Sequence, residues 1–135
     1  MSKDTGSCAC QYIRYTTAKP TSCVVNCYCT ICRKQSGAPF QSWAFYATDD
    51  IKWDVKPTER RSSDTATRSF CPRCGSTLSM VLDRDLKTIG IAAGTFDGRL
   101  PAPSHHIWTS AAVVWHQWPQ DGAQRWFAGG HYKKI

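Results

Sequence analysis

Short apolar and aromatic runs, separated by turn residues, make up most of this chain. Seven runs have the length and composition of β-strands: 12–15, 22–26, 41–48, 51–53, 66–70, 77–82 and 87–92. Breaks such as Lys19-Pro20 and Asp49-Asp50 stand between them. No long segment follows the 3.6-residue period of an amphipathic helix, and we expect only a helical turn at 33–37. The pattern predicts a mainly β fold.

The remaining segments give weaker signals. The polar stretch 56–67 is expected to be a surface loop or a weak hairpin, and 94–98 a loop. Two further apolar segments, 107–108 and 112–118, precede a basic tail from Pro119 in which only 125–127 is expected to be anchored. With no internal repeat and no linker, we interpret 1–135 as a single domain whose motif-bearing core spans about 6–118. A chain of 135 residues can bury a core of its own.

The composition is that of an ordinary soluble protein, with 41% hydrophobic and 20% charged residues. No apolar run approaches the roughly 20 residues of a membrane span, so we expect no membrane association. The first residues contain no apolar leader segment, and we expect a cytoplasmic location.

Eight cysteines change this picture, because they occur in close groups. The pairs Cys8/Cys10, Cys27/Cys29 and Cys71/Cys74 are too close in sequence to cross-link distant elements usefully. In a reducing compartment, clustered cysteines bind metal more often than they form disulfides. We therefore interpret the cysteines as metal ligands.

The basic balance of the chain, +7 with a pI near 9.1, is typical of nucleic-acid binding as well as of anionic substrates. That charge counts every cysteine as neutral. If seven of the cysteines bind two zinc ions as thiolates, four positive and seven negative charges are added, and the formal charge falls from +7 to +4. We therefore do not expect a nucleic-acid partner.

The thiols can be sorted into metal sites in more than one way. The outer pairs, Cys8/Cys10 and Cys71/Cys74, could form one closed zinc site and leave Cys27, Cys29 and Cys32 as a second, three-sulfur site. Cys8 and Cys10 are expected on a strand, where residues two apart face the same side and can both bind one ion. A ribbon that combines Cys29/Cys32 with Cys71/Cys74 is a common zinc signature too, and spacing alone does not decide between them. Cys23 is interpreted as a small buried hydrophobic residue, with closure of the second site as the alternative.

Several motifs occur together in a fixed order along the chain. They are Gly6-Ser7-Cys8-Ala9-Cys10, the segment from Cys27 to Gly37, Arg68-Ser69-Phe70-Cys71 through Gly75, Gly94-Thr95-Phe96-Asp97, and 103–108. In this order the chain resembles the glutathione-dependent formaldehyde-activating enzyme family, whose domain also occurs in centromere protein V. Two positions depart from the family pattern: Gln11 stands where the family often has Gly, and Tyr28 where it often has His.

The resemblance implies a fold and an activity. The fold would consist of several small coiled antiparallel sheets arranged like a tent and held by zinc. A structural zinc would be bound by Cys8, Cys10, Cys71 and Cys74, and a catalytic zinc by Cys27, Cys29 and Cys32. The activity would be that of a carbon–sulfur lyase, an S-(hydroxymethyl)glutathione synthase that joins formaldehyde or a related small aldehyde to glutathione. Two zinc ions per chain and a small thiol and aldehyde as partners are the corresponding expectations.

Charged residues near these motifs are candidate substrate contacts. The carboxylates of glutathione could bind to Arg33, Lys34 and Arg68, and also to Arg73. These four cations could equally offset the charge of the thiolates. Asp97 is a candidate proton carrier or a turn residue. His105 and His106 are candidate proton donors, whereas we treat His116 and His131 as incidental.

Two other functions are compatible with the sequence. A non-catalytic, zinc-stabilised module that binds a protein or nucleic-acid partner would give both zinc ions four protein ligands. Methionine sulfoxide reductases also use a zinc scaffold, but they need a reactive cysteine outside the metal ligands. No cysteine follows Cys74, which disfavours that activity.

Overall fold

The computed structural model describes residues 3–127 and is mainly β, as predicted. Within this range it has one α-helix, α1 (Thr30–Ser36), and eleven strands. The strands are β1 Thr5–Ser7, β2 Arg14–Thr17, β3 Cys23–Cys27, β4 Gln41–Ala47, β5 Ile51–Trp53, β6 Thr58–Ser63, β7 Ala66–Phe70, β8 Thr77–Leu82, β9 Asp85–Ala92, β10 His105–Ile107 and β11 Gln124–Trp126. None of the described helices has the length and apolar character needed to cross a membrane. His131 lies outside the described residues, and the domain bounds 1–135 stay a prediction.

The described residues divide into two compact units, with β4 contributing to both. In the first unit, residues 3–22 and 44–100, β1, β2 and β5 form an antiparallel three-stranded sheet. The strand order β4-β9-β8-β7-β6 forms the rest of the unit, and consecutive strands from β6 to β9 pair antiparallel. The stretch 56–67 is therefore half of a hairpin: β6 pairs with β7.

The core of the first unit surrounds two of the cysteines. Cys8, Ile13, Cys71 and Leu78 form a buried cluster, against which Tyr12, Trp53 and Val55 pack. Thiols placed in an apolar core are fixed by the same packing that stabilises the fold.

The second unit comprises residues 23–43 and 101–127 of the described chain. Its strand order is β11-β10-β3-β4. Both neighbours of β10 run parallel to it, which differs from the expected all-antiparallel sheets. Helix α1, Thr30–Ser36, follows β3 and is longer than the predicted turn at 33–37. It ends at Gly37, whose positive φ of 66° closes the last turn through a hydrogen bond from its N–H to the Arg33 carbonyl.

Candidate functional site

The four-thiol cluster, Cys8, Cys10, Cys71 and Cys74, lies in the first unit. Its four sulfur atoms lie within 4.8 Å of one another. Cys8 Sγ is 3.6 Å from Cys10 Sγ, and Cys10 Sγ is 3.8 Å from Cys71 Sγ. Four sulfurs at about 2.3 Å from a tetrahedral zinc would be about 3.8 Å apart, so the donor set fits zinc. Spacing alone allowed Cys71/Cys74 to combine with either Cys8/Cys10 or Cys29/Cys32. In the structure they lie beside Cys8 and Cys10.

The turns that carry these thiols differ from the sequence prediction. Cys8 and Cys10 were expected on a strand, but β1 ends at Ser7 and both thiols lie in the following turn. This turn bends sharply because Gln11 adopts a positive φ of 66°. The pair Cys71/Cys74 lies on a knuckle closed by Gly75, whose φ is 80°.

Backbone amides and a hydroxyl form hydrogen bonds with three of these sulfurs. Ile13 N–H donates to Cys8 Sγ at 3.3 Å, and Arg73 N–H donates to Cys71 Sγ at 3.4 Å. Hydrogen bonds from Ser76 lower the pKa of the Cys74 thiol to about 5. Donors that stabilise thiolates are what a metal-binding knuckle requires, because thiolate is the ligating form.

The three-thiol cluster, Cys27, Cys29 and Cys32, lies in the second unit. Cys27 ends β3, Cys29 is the N-cap of α1, and Cys32 is on the first turn of that helix. The Cys29 sulfur accepts the Cys32 N–H at 3.4 Å, so capping the helix also orients a thiol. The three sulfurs lie within 4.8 Å of one another, and among residues 3–127 no further Cys, His, Asp or Glu belongs to this group.

The environment of the three-thiol cluster suits a bound cation. Hydrogen bonds with Cys29 and Cys32, together with burial, raise the pKa of the Cys27 thiol far above its usual range. Without a cation the Cys27 thiol therefore keeps its proton, whereas a divalent ion would compensate the thiolate charge. Cys27 and Cys32 are buried and Cys29 is half-buried, so Cys29 is the most accessible of the three. The cluster fits a zinc ion with three protein ligands.

Cys23 does not belong to this cluster. It begins β3, four residues before Cys27, and strand geometry separates the two residues by about 13 Å. That separation is too large for both thiols to bind one ion. Cys23 is half-buried rather than fully buried, and it forms no disulfide.

A network of aromatic and histidine side chains surrounds Tyr28, the residue between two of these thiols. The Tyr28 hydroxyl lies 3.2 Å from both His106 Nδ1 and His116 Nε2. His106 Nε2 lies 3.0 Å from Asp121 Oδ2. The rings of Phe40 and Trp118 pack on Tyr28 with centroids 5.0 and 4.8 Å away.

The hydrogen-bond roles in the network follow from its carboxylate end. Asp121 can only accept, so His106 Nε2 carries a proton, and in the neutral ring Nδ1 accepts from the Tyr28 hydroxyl. His116 Nε2–H must then donate to the Tyr28 oxygen. Burial lowers the pKa of His116, which agrees with a neutral ring.

Sequence reasoning missed this network. His116 was treated as incidental, and its fixed contact with Tyr28 depends on a long loop closing. The available signal was that Tyr28 stands between two thiols at a position where the resembled family often has His.

The structure assigns other contacts to several of the candidate substrate residues. Arg68 is buried, and its Nε donates to Ser62 Oγ at 3.1 Å. Thr5 Oγ1 donates a hydrogen bond to the Asp97 carboxylate at 3.1 Å, and the Asp97 N–H donates to the Thr5 carbonyl at 3.0 Å. Arg73 stacks on the Tyr12 ring, 3.5 Å from the centroid, and His105 contacts Ser104. Substrate contacts by Arg68 and Asp97 stay predictions.

Arg33 and Lys34 line a cavity of about 440 Å³ beside α1. We name it the α1 cavity; its lining residues are Thr30, Arg33, Lys34, Gly37, Ala38, Pro39, Val113 and Trp115. Its lining contains two cations and no carboxylate.

Comparison with known proteins identifies the family. The sequence pattern of the glutathione-dependent formaldehyde-activating enzyme family matches residues 3–111. A Halomonas elongata protein named "Putative glutathione-dependent formaldehyde-activating enzyme" is 28% identical, over 92% of this chain and 86% of its own. A crystal structure of a Rhodobacter sphaeroides protein superimposes with a TM-score of 0.60 at 17% identity, over 90% of this chain and 98% of that one. That likeness concerns the fold alone.

The family match covers most of the chain and agrees with the motifs in the sequence. The chain therefore belongs to the glutathione-dependent formaldehyde-activating enzyme family.

Proposed function

We propose that this protein is a zinc-dependent carbon–sulfur lyase that joins formaldehyde, or a related small aldehyde, to glutathione, forming S-(hydroxymethyl)glutathione. Family membership and the name of the Halomonas elongata relative support a glutathione-dependent, formaldehyde-related function. The observation that carries the proposal is the three-thiol cluster, whose donors would leave one position of a tetrahedral ion for a substrate. The four-thiol cluster would hold the structural zinc.

Bound zinc would lower the pKa of a thiol that takes the remaining ligand position. Cys27, Cys29 and Cys32 would hold the ion, with Cys29 nearest to solvent. In the reaction the glutathione sulfur forms a bond to the formaldehyde carbon, and the electrons of the C=O double bond move to oxygen. The proton that leaves the thiol ends on that oxygen, so the reaction needs no other reactant.

Small-molecule thiol and aldehyde are thus the proposed partners, and the proposed location is the cytoplasm. The oligomeric state is not part of the proposal. Arg68 and Asp97, which contact Ser62 and Thr5, stay candidate substrate contacts.

The test follows exchange between free and glutathione-bound formaldehyde by NMR. The key variant is Cys29→Ser, because serine is also a good helix N-cap and preserves the start of α1 while removing a thiol. We expect Cys29→Ser to bind one zinc ion fewer and to lose the protein-dependent exchange. Cys23→Ser, outside both clusters, is the matched control and should behave like the wild type. Exchange that survives both Cys29→Ser and chelation would refute the proposal.

A further inference from the structure

The α1 cavity is formed by one face of a helix and two short segments. Thr30, Arg33, Lys34 and Gly37 follow the spacing of one helical face, and Pro39, Val113 and Trp115 supply apolar surface. Its volume of about 440 Å³ falls in the range of about 300–1,000 Å³ typical of small-molecule sites.

The charges in the cavity favour an anionic ligand. Arg33 is held in place by a 2.9 Å hydrogen bond from NH1 to the Ala111 carbonyl. Lys34 is exposed, and among residues 3–127 no carboxylate forms an ion pair with either side chain. Two neighbouring cations without an acidic partner, beside an exposed indole, suit a carboxylate on a short peptide-like molecule.

The first two turns of α1 contribute residues both to the cavity and to the three-thiol cluster. Arg33 follows Cys29 by one helical turn, and its N–H donates to the Cys29 carbonyl at 3.0 Å. Along a helix, Cys29 and Lys34 are separated by a rise of about 7.5 Å. In a peptide that ends in Cys-Gly, the sulfur and the terminal carboxylate can be about 7 Å apart. A thiol held at the cluster could thus place a carboxylate in the cavity.

We infer that the α1 cavity binds a carboxylate of the thiol substrate, through Arg33 and Lys34. This inference rests on the proposed function and assigns to Arg33 and Lys34 the selection of thiols whose carboxylate lies several bonds from the sulfur. Thiols without such a carboxylate are poor substrates, because they leave the two cations unpaired.

The test uses a ligand that cannot bind metal as a thiolate. Binding of S-methylglutathione, and of its diethyl ester with both carboxylates blocked, is measured by calorimetry on the zinc-loaded protein. We expect the diester to bind about tenfold more weakly, and Lys34→Gln to weaken S-methylglutathione binding about tenfold. The Lys34 side chain makes no hydrogen bond or ion pair in residues 3–127, so the Lys34→Gln variant should fold normally. Lys34→Arg should retain binding, and Lys52→Gln, at an exposed lysine on β5, is the matched control.

The outcomes separate this inference from the proposed function. The inference is overturned if S-methylglutathione does not bind, if its diester binds equally well, or if Lys34→Gln has no effect. Lys34-dependent binding without any protein-dependent formaldehyde exchange supports the carboxylate site and refutes the lyase activity. Formaldehyde exchange, together with S-methylglutathione binding that does not depend on Lys34, refutes the carboxylate site but not the lyase activity.

Discussion

At the scale of single residues, Gly6 explains why a glycine opens the first cysteine motif. A Cβ atom at this position would collide with the Tyr15 ring and with the Thr95 carbonyl. Tyr15 cannot easily move, because its hydroxyl bonds to Thr95 Oγ1 at 2.6 Å and its ring packs on Trp53. The glycine is therefore required by a close approach of β1 to its neighbours.

We predict that Gly6→Ala destabilises the protein by about 1–3 kcal/mol, the usual cost of overpacking a core. The free energy of unfolding in urea measures the effect. Gly98→Ala is the matched control, since a Cβ atom there meets no other atom within 4 Å. Equal stability of the two variants would contradict the assigned contact.

Gln11, a departure from the family pattern, occupies a left-handed conformation with φ of 66°. Glycine reaches this region without strain, whereas an L-residue pays about 1 kcal/mol for it. We predict that Gln11→Gly is more stable than Gln11→Ala by about 1 kcal/mol in urea unfolding. Both variants lose the Gln11–Arg14 hydrogen bond, so the comparison isolates the backbone. A more stable alanine variant would contradict this explanation.

At the scale of elements, periodicity locates strands whose pattern is local. The prediction 41–48 becomes β4, Gln41–Ala47, and 77–82 is reproduced as β8. Prediction from periodicity fails where a contact with a residue distant in sequence decides the conformation. The first strand expected at 12–15 is displaced to β2, Arg14–Thr17, because the turn that brings Cys8 and Cys10 to Cys71 occupies residues 8–12.

Two other elements show how tertiary contacts override composition. The polar segment β6 forms a strand because β7 pairs with it along most of its length, at the edge of the sheet. The apolar segment 112–118 forms no strand, since His116 and Trp118 pack on Tyr28 instead. Ligand types and motif order could be predicted from sequence, but neither the Tyr28 network nor the α1 cavity has a local signature.

The Tyr28 network joins three segments of the second unit through side chains. Removing its hydroxyl leaves a nitrogen of the buried His106 and one of the half-buried His116 without this partner. We predict that Tyr28→Phe lowers the free energy of unfolding by about 1–3 kcal/mol. It should also change the ¹⁵N NMR signals of His106 and His116, which report which ring nitrogens carry protons.

Tyr12→Phe is the matched control, because the Tyr12 hydroxyl makes no hydrogen bond in residues 3–127. That variant should unfold like the wild type. Histidine signals that are unchanged in Tyr28→Phe would mean that the tyrosine does not set the protonation of the two rings.

At the scale of the whole molecule, two metal ions would change the charge as well as the stability. The formal charge of +7 falls to +4 when seven thiolates and two zinc ions are counted, leaving a moderately basic protein. This charge is compatible with an anionic small molecule as ligand. The two neighbouring cations of the α1 cavity would give such a ligand a defined position.

The two clusters should differ in what the loss of zinc does to the fold. The four-thiol cluster joins the turn after β1 to the knuckle after β7, and Cys8 and Cys71 belong to the core. Cys74 is exposed, so Cys74→Ser removes a ligand with little change in packing. We predict that Cys74→Ser loses one zinc ion and at least about 3 kcal/mol of unfolding free energy, because metal binding is coupled to folding.

Cys29→Ser should also lose one zinc ion but reduce the unfolding free energy less. The three ligands of that ion lie within six residues and close only a short loop. Metal content per chain and urea unfolding of both variants, with Cys23→Ser as the reference, measure the difference. If Cys74→Ser kept both ions, or if the two variants were equally destabilised, the division into a structural and a catalytic zinc would be wrong. A larger loss for Cys74→Ser would instead mean that the four-thiol cluster maintains the fold, whereas the three-thiol cluster is free to exchange a ligand with substrate.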